Sequence, residues 1–185
     1  GSSSRIRSAE AKCVARRVRD LLAQLPTDKS LGVITFYAAQ RDEILKELAK
    51  GPLAITERSD EGWRILSEYA TTDDGAERLR VGTVDAFQGK EFDVVLLSTV
   101  RSNRMSVDLD LPNSDDSEQV EFERQASAKY GHLRSANRLN VAMSRQRRLL
   151  VAIGDKAMFQ GRVAQVSVPE MHAFVELCEE EAARV

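Results

Sequence analysis

The strongest constraint on this chain is a set of short apolar runs, rich in β-branched residues, set between segments of helical period. Gly32-Val33-Ile34-Thr35-Phe36, Val94-Val95-Leu96-Leu97 and Leu149-Leu150-Val151-Ala152-Ile153 are too short for stable helices and show no polar alternation. All three read as strands, and residues 32–36, β-branched and nearly all apolar, as one buried on both faces. Ahead of the first run, Val14, Val18, Leu21, Leu22 and Leu25 recur at helical spacing. They predict a helix over 8–25, with Ser8 as its N-cap and Pro26-Thr27-Asp28 as its stop. A second helix is expected over 38–50, with Ile44, Leu45 and Leu48 inward and Gly51-Pro52 ending it. Further strands are expected over 79–84 and 93–100, joined by a tight Phe87-Gln88-Gly89 connection, then a helix over 136–146, a strand over 149–153 and a closing helix over 170–183. Residues 52–78 are mixed, with a helix expected around Trp63 to Tyr69. Strands alternating with helices call for right-handed crossovers and a mainly parallel sheet covered on both faces, an α/β fold.

The chain has 185 residues, the size of one domain, and the reading is a single domain over 8–185 after a linker or cloning remnant at 1–7. With 42% hydrophobic and 30% charged residues, wholesale disorder is excluded. The apolar runs fall far short of the roughly 20 residues that cross a bilayer, and no basic-then-apolar leader opens the chain. Cys13 and Cys178 make no disulfide framework, so a reduced, cytoplasmic setting is expected. Arginine outnumbers lysine 20 to 7, which hints at a GC-rich bacterial genome. The net charge of -2 gives no bulk attraction to nucleic acid, so polyanion binding needs a local patch. One stretch breaks the rhythm. Residues 104–128 carry Asp108, Asp110, Asp115, Asp116, Glu118, Glu121 and Glu123 among serines and Pro112, and read as a mobile, acidic insert without the spacing of a calcium loop.

A parallel α/β domain invites a nucleotide, but the phosphate loop Gly-x-x-x-x-Gly-Lys-Ser/Thr is missing. The one Gly-Lys pair, Gly89-Lys90, has Val84 where the first glycine belongs and Glu91 where the hydroxyl residue belongs. From Arg134 to Arg148 there are five arginines and no acid, with Arg134, Arg138, Arg145 and Arg148 near one helical stripe. Open parallel sheets place ligands at the carboxyl ends of their strands. The arginines are therefore expected to converge there with Gln40-Arg41 and with Gln88 and Glu91. Such a surface would complete a phosphate site supplied by another domain.

Three ordered segments resemble the second motor domain of superfamily 1 helicases, the group of the nonsense-mediated-decay helicase and its bacterial relatives. Residues 32–41 are similar to helicase motif IV, Val81-Gly82-Thr83-Val84-Asp85-Ala86-Phe87-Gln88-Gly89-Lys90-Glu91 to motif V, and Arg138-Leu139-Asn140-Val141-Ala142-Met143-Ser144-Arg145 to motif VI. The resemblance covers about residues 8–160, and includes Glu10-Ala11 ahead of motif IV. It implies a three-layer α/β/α, RecA-like domain with the phosphate-loop hydrolase fold but no phosphate loop. ATP and Mg2+ would be held mainly by a first RecA-like domain of the same parent chain. Arg41 and Arg145 would be cationic fingers on the γ-phosphate, and Glu91 would position the attacking water. Gln88, Gly89 and Gln40 would lie beside the nucleotide. Thr83, Val84 and Asp85 would meet the backbone of single-stranded DNA or RNA. The parent would be an ATP-dependent helicase, and this piece alone inactive. Two rivals belong to other classes: a non-catalytic interaction module acting through the acidic insert, and a metal nuclease using Asp85, Glu91 and Asp93.

Overall fold

The computed structural model describes residues 5–108 and 116–184. In chain order the elements are α1 (Ser8–Gln24), β1 (Leu31–Thr35), α2 (Ala38–Leu48), β2 (Thr56–Ser59), β3 (Gly62–Ile65), α3 (Ser67–Ala70), β4 (Leu79–Thr83), β5 (Phe92–Ser98), α4 (Asp116–Tyr130), α5 (Ala136–Met143), β6 (Gln146–Ile153), α6 (Gly161–Ser167) and α7 (Pro169–Ala183). Strands β4, β1, β5 and β6 pair in that order, every pair parallel. This is the parallel α/β architecture expected from the strand and helix pattern, and it agrees with the RecA-like fold that the resemblance implies. The stretch read as one domain from residue 8 onward groups into two compact units. One comprises residues up to Val100 with Asn140–Ile153, the other Arg101–Leu139 with the residues from Gly154 on.

In the sheet unit, α1 and α2 cover one face. Ala11, Val14, Val18 and Leu22 of α1 and Ile44 and Leu48 of α2 meet Leu31, Val33, Leu79, Val94 and Leu96 from three strands. Helix α2 stops where Arg19 of α1 donates to the carbonyls of Glu47 at 2.8 Å and Lys50 at 2.9 Å, so a cation meets the negative end of the helix. The other face carries an unusual connection. Parallel β4 and β5 flank β1, yet only residues 84–91 join them, a 3-10 turn over Val84–Phe87 followed by Gly89 at φ +71°. The crossover has no room for a helix and lies on the sheet itself. A Cβ on Gly32 would stand 2.9 Å from the Phe87 ring, and one on Gly82 3.1 Å, so two glycines form the slot that Phe87 fills.

Four local expectations are corrected. Residues around Trp63 form a hairpin, β2 with β3, because Asp60-Glu61 and Gly62 at φ +123° reverse the chain; only Ser67–Ala70 is helical. The expected acidic loop is helix from Asp116 onward, because Phe122, Ala126 and Tyr130, four apart, supply a buried stripe; residues 109–115 lie outside the described residues. The helix expected to reach Gln146 ends at Met143, since Gln146 already pairs with Phe92. Ser8 is the first helical residue and caps nothing; Arg7 holds the cap position, and its N–H goes to Gln40 Oε1 at 2.7 Å.

In the second unit Arg134 holds α4. Its guanidinium meets the Glu123 carboxylate at 2.6 Å and the Ser127 hydroxyl at 3.0 Å, and lies over the Phe122 ring. Buried His172 of α7 faces the Phe159 carbonyl at 2.9 Å and Glu176 at 3.3 Å, a structural histidine.

Candidate functional site

Strand register divides the expected site between two edges of the sheet. Thr35 and Ser98 are level at the carboxyl ends, Phe92 and Gln146 at the amino ends. Six residues of β5 separate them, about 20 Å at 3.3 Å per residue. Gln40 and Arg41 lie in the first turn of α2 just past the carboxyl end of β1, and Thr83 ends β4 on the same edge, followed by Val84 and Asp85. Glu91 immediately precedes β5, and Arg145 immediately precedes β6, so both stand at the amino ends. Gln88 and Gly89 are exposed on the return toward that edge. The expected convergence of all these groups on the carboxyl edge is therefore corrected. A residue that precedes a parallel strand lies at the opposite end from one that follows it.

At the amino edge the Phe92 N–H donates to the Arg145 carbonyl at 2.9 Å, which fixes Arg145 beside Glu91. The Arg145 side chain folds over the end of α5, with Nε on the Val141 carbonyl at 3.0 Å and Nη2 on the Ser144 hydroxyl at 2.8 Å. No carboxylate of the described residues forms an ion pair with it. Its neighbours in the arginine run differ: Arg147 pairs with Glu91 at 3.3 Å and Arg148 with Asp93 at 3.3 Å. These contacts, with Arg134 on Glu123, break up the expected stripe of one helix face.

A cleft of about 230 Å³ opens on this edge beside Glu91. Asp28, Asp74, Glu77, Glu91 and Asp93 line it against Lys90 and Arg147, so it repels a polyphosphate rather than cradling one. Asp93 is the buried member. Burial pushes its carboxyl up, but the N–H and hydroxyl of Ser30, both at 3.0 Å, with Lys29 and Arg148, hold it below the usual carboxylate range. Among the described residues no three His, Cys, Asp or Glu gather to hold a metal. Asp85 lies on the other edge from Glu91 and Asp93, so the nuclease triad is not assembled.

At the carboxyl edge Gln40 is fully buried, with its amide bonded to both the Arg7 N–H and carbonyl and to Ser98 Oγ. Contact with a nucleotide would require that network to open. Arg41 is part-exposed and paired with Asp42 at 2.7 Å. Thr83 is half-buried, Val84 buried and Asp85 exposed. Motif spacing gave no notice of a buried acid here. Glu10 accepts from Ser98 Oγ at 2.6 Å and from the Val100 N–H at 2.9 Å. The available signal was its place on the α1 stripe, four before Val14 and eight before Val18.

The fold is a parallel, RecA-like α/β domain, and its sequence carries no phosphate loop. The chain belongs to the AAA domain family in its helicase C-terminal form, whose model matches residues 1–157. It is 30% identical over 98% of its length to a putative helicase, MOV-10, of Gallus gallus, covering 16% of that protein. It is 30% identical over 97% of its length to a DNA polymerase alpha-associated DNA helicase A of Saccharomyces cerevisiae, covering 19%. A helicase required for RNAi-mediated heterochromatin assembly in Schizosaccharomyces pombe is 30% identical over 84% of the chain. The chain thus spans less than a fifth of the length of these relatives. No helix among the described residues is long and apolar enough to cross a membrane.

Proposed function

We propose that this chain is the second motor domain of an ATP-dependent helicase and completes an ATP site shared with a first RecA-like domain of the same parent. The observation that carries this reading is Arg145: a guanidinium with no acid partner among the described residues, clamped at the strand edge beside Glu91. Arginine stays charged at any working pH and offers a planar fork to phosphate oxygens. In this reading Arg145 stabilises charge that develops on the transferring γ-phosphoryl group, and Glu91, once released from Arg147, orients the attacking water. The phosphates and Mg2+ are held by the first domain, because the cleft beside Glu91 carries the wrong charge to hold them.

Arg41 stands on the other edge and takes a different part. With Thr83, Val84 and Asp85 it faces the backbone of single-stranded DNA or RNA, and cleft closure moves the strand. The two free cysteines accord with a reduced, cytoplasmic compartment. The relatives named above are eukaryotic and lend no support to a bacterial source.

The test is Arg145→Ala in the full-length parent. ATPase activity should fall by about three orders of magnitude with single-strand binding retained, the loss typical of a missing arginine finger. Arg41→Ala should weaken nucleic-acid binding and leave the ATP KM unchanged. Unchanged ATPase in R145A would remove the finger assignment and favour a non-catalytic interaction module.

A further inference from the structure

At the carboxyl end of β5 the chain adopts a conformation its sequence disfavours. Val100 has φ +66°, and among the described residues it is the single non-glycine with a positive φ. A β-branched residue there is a strained outlier that persists only where its surroundings over-determine it. What holds it is visible. The Val100 N–H donates to Oε1 of Glu10, which also accepts from the Ser98 hydroxyl. Ser98 Oγ in turn accepts from Gln40 Nε2 at 3.3 Å, and the Gln40 amide closes on the Arg7 backbone at the start of α1.

The carboxylate at the centre of this chain of bonds is 5% exposed, and its second oxygen, Oε2, is buried with no hydrogen-bond partner. A buried acid with one oxygen unsatisfied is a costly way to pack a helix against a sheet. Leucine or methionine would fill the same stripe of α1 without that cost. The network joins the start of α1, the start of α2 with Arg41, and the exit of β5, all on the edge that carries Thr83 and Asp85. At Val100 the chain also leaves the sheet unit.

We propose that Glu10 is a positioning residue for this edge: its carboxylate holds Val100 in the left-handed conformation and, through Ser98 and Gln40, fixes the first turn of α2. It touches no substrate. It sets where Arg41 and the main chain after Ser98 stand relative to Thr83 and Asp85. The inference rests on the helicase reading only for what the edge binds, a single-stranded nucleic acid.

The experiment titrates the ATPase of the full-length parent with oligo(dT) and oligo(U), and measures the HN–Hα coupling of residue 100 in this chain by NMR. Glu10→Ala should raise the oligonucleotide concentration for half-maximal ATPase about tenfold, with the ATP KM unchanged, and should abolish the left-handed coupling. Glu10→Gln keeps the Oε1 acceptor and should stay near wild type in both readouts. In E10A/V100G the positive φ should return, because glycine takes a positive φ as readily as a negative one, and the oligonucleotide requirement should recover in part, since Ser98 still lacks its carboxylate. A double variant as impaired as E10A, or an E10A that shifts the ATP KM by the same factor, would overturn the proposal. If E10A does not fold, Ser98→Ala cuts the link to Gln40 alone; it should raise the oligonucleotide requirement with the coupling intact, and no rise would overturn the relay to α2. A parent without nucleic-acid-stimulated ATPase removes the helicase reading. The coupling in this chain then decides separately whether Glu10 holds Val100.

Discussion

Asp93 and Glu10 are both carboxylates withdrawn from water, yet they are driven in opposite directions. For Glu10 burial dominates over the bonds from Ser98 and Val100 and pushes its carboxyl above the ordinary value of 4.5. For Asp93 the Ser30 bonds, Lys29 and Arg148 outweigh burial, and its pKa falls below 3.8. The signs follow from linkage. A depressed carboxylate adds stability that is fully present above its unfolded pKa and is lost as the pH falls through the folded one. Asp93 thus contributes to the acid limb of unfolding, whereas Glu10 favours the fold below 4.5 and loses that contribution as the pH rises through its raised value. Asp93→Asn should therefore flatten the acid limb. Urea unfolding near neutral pH and again below the ordinary Asp pKa should show a smaller loss in D93N than in wild type; equal losses would mean that Arg148 and Ser30 do not hold the charged form. Helical spacing placed Glu10 on the inner stripe of α1, but nothing in the sequence announced the partners of either acid. Their partners, Ser98 at 88 residues from Glu10 and Ser30 at 63 from Asp93, are brought in by the sheet.

The elements were legible where pattern and burial agree. β1 and the middle of β5 are apolar and β-branched because both faces are covered, and that is what the run of residues records. The first half of β6 was not legible, since Gln146, Arg147 and Arg148 lie on an edge strand where water replaces one neighbour. Helix α4 was hidden because its acidic, serine-bearing sequence reads as solvated, while its inner stripe is only Phe122, Ala126 and Tyr130 and its Glu121 and Glu123 pair with Arg124 and Arg134. The connection from β4 to β5 is the most demanding local structure, since eight residues do the work usually given to a helix. Its slot predicts a sensitive position. Gly32→Ala puts a methyl 2.9 Å from the Phe87 ring and 3.1 Å from that of Phe92. Overpacking of that kind costs about 1–3 kcal/mol. Urea unfolding should show the loss, and Phe87→Leu in the same chain should recover part of it. Stability unchanged in G32A would mean that the crossover is free to lift off the sheet.

For the molecule as a whole, strand direction is what the motifs could not convey. Similarity to motifs IV, V and VI singled out three segments of the chain. It gave no sign that Arg41 would follow one strand while Glu91 and Arg145 precede two others, which sets them about 20 Å apart along the sheet. The domain so built has two distinct edges: one with an arginine that pairs with no acid of the described residues and stands beside a glutamate, the other with a strained strand exit beside a buried acid. Neither edge has a phosphate loop, and the amino-edge cleft is lined with acids. The central claim is that the ATP site is shared. Its most direct test is ATP hydrolysis by this chain beside the full-length parent, each with and without a single-stranded oligonucleotide. A silent chain and an active parent stimulated by nucleic acid are predicted; turnover by the chain alone, at a rate near that of the parent, would contradict the account.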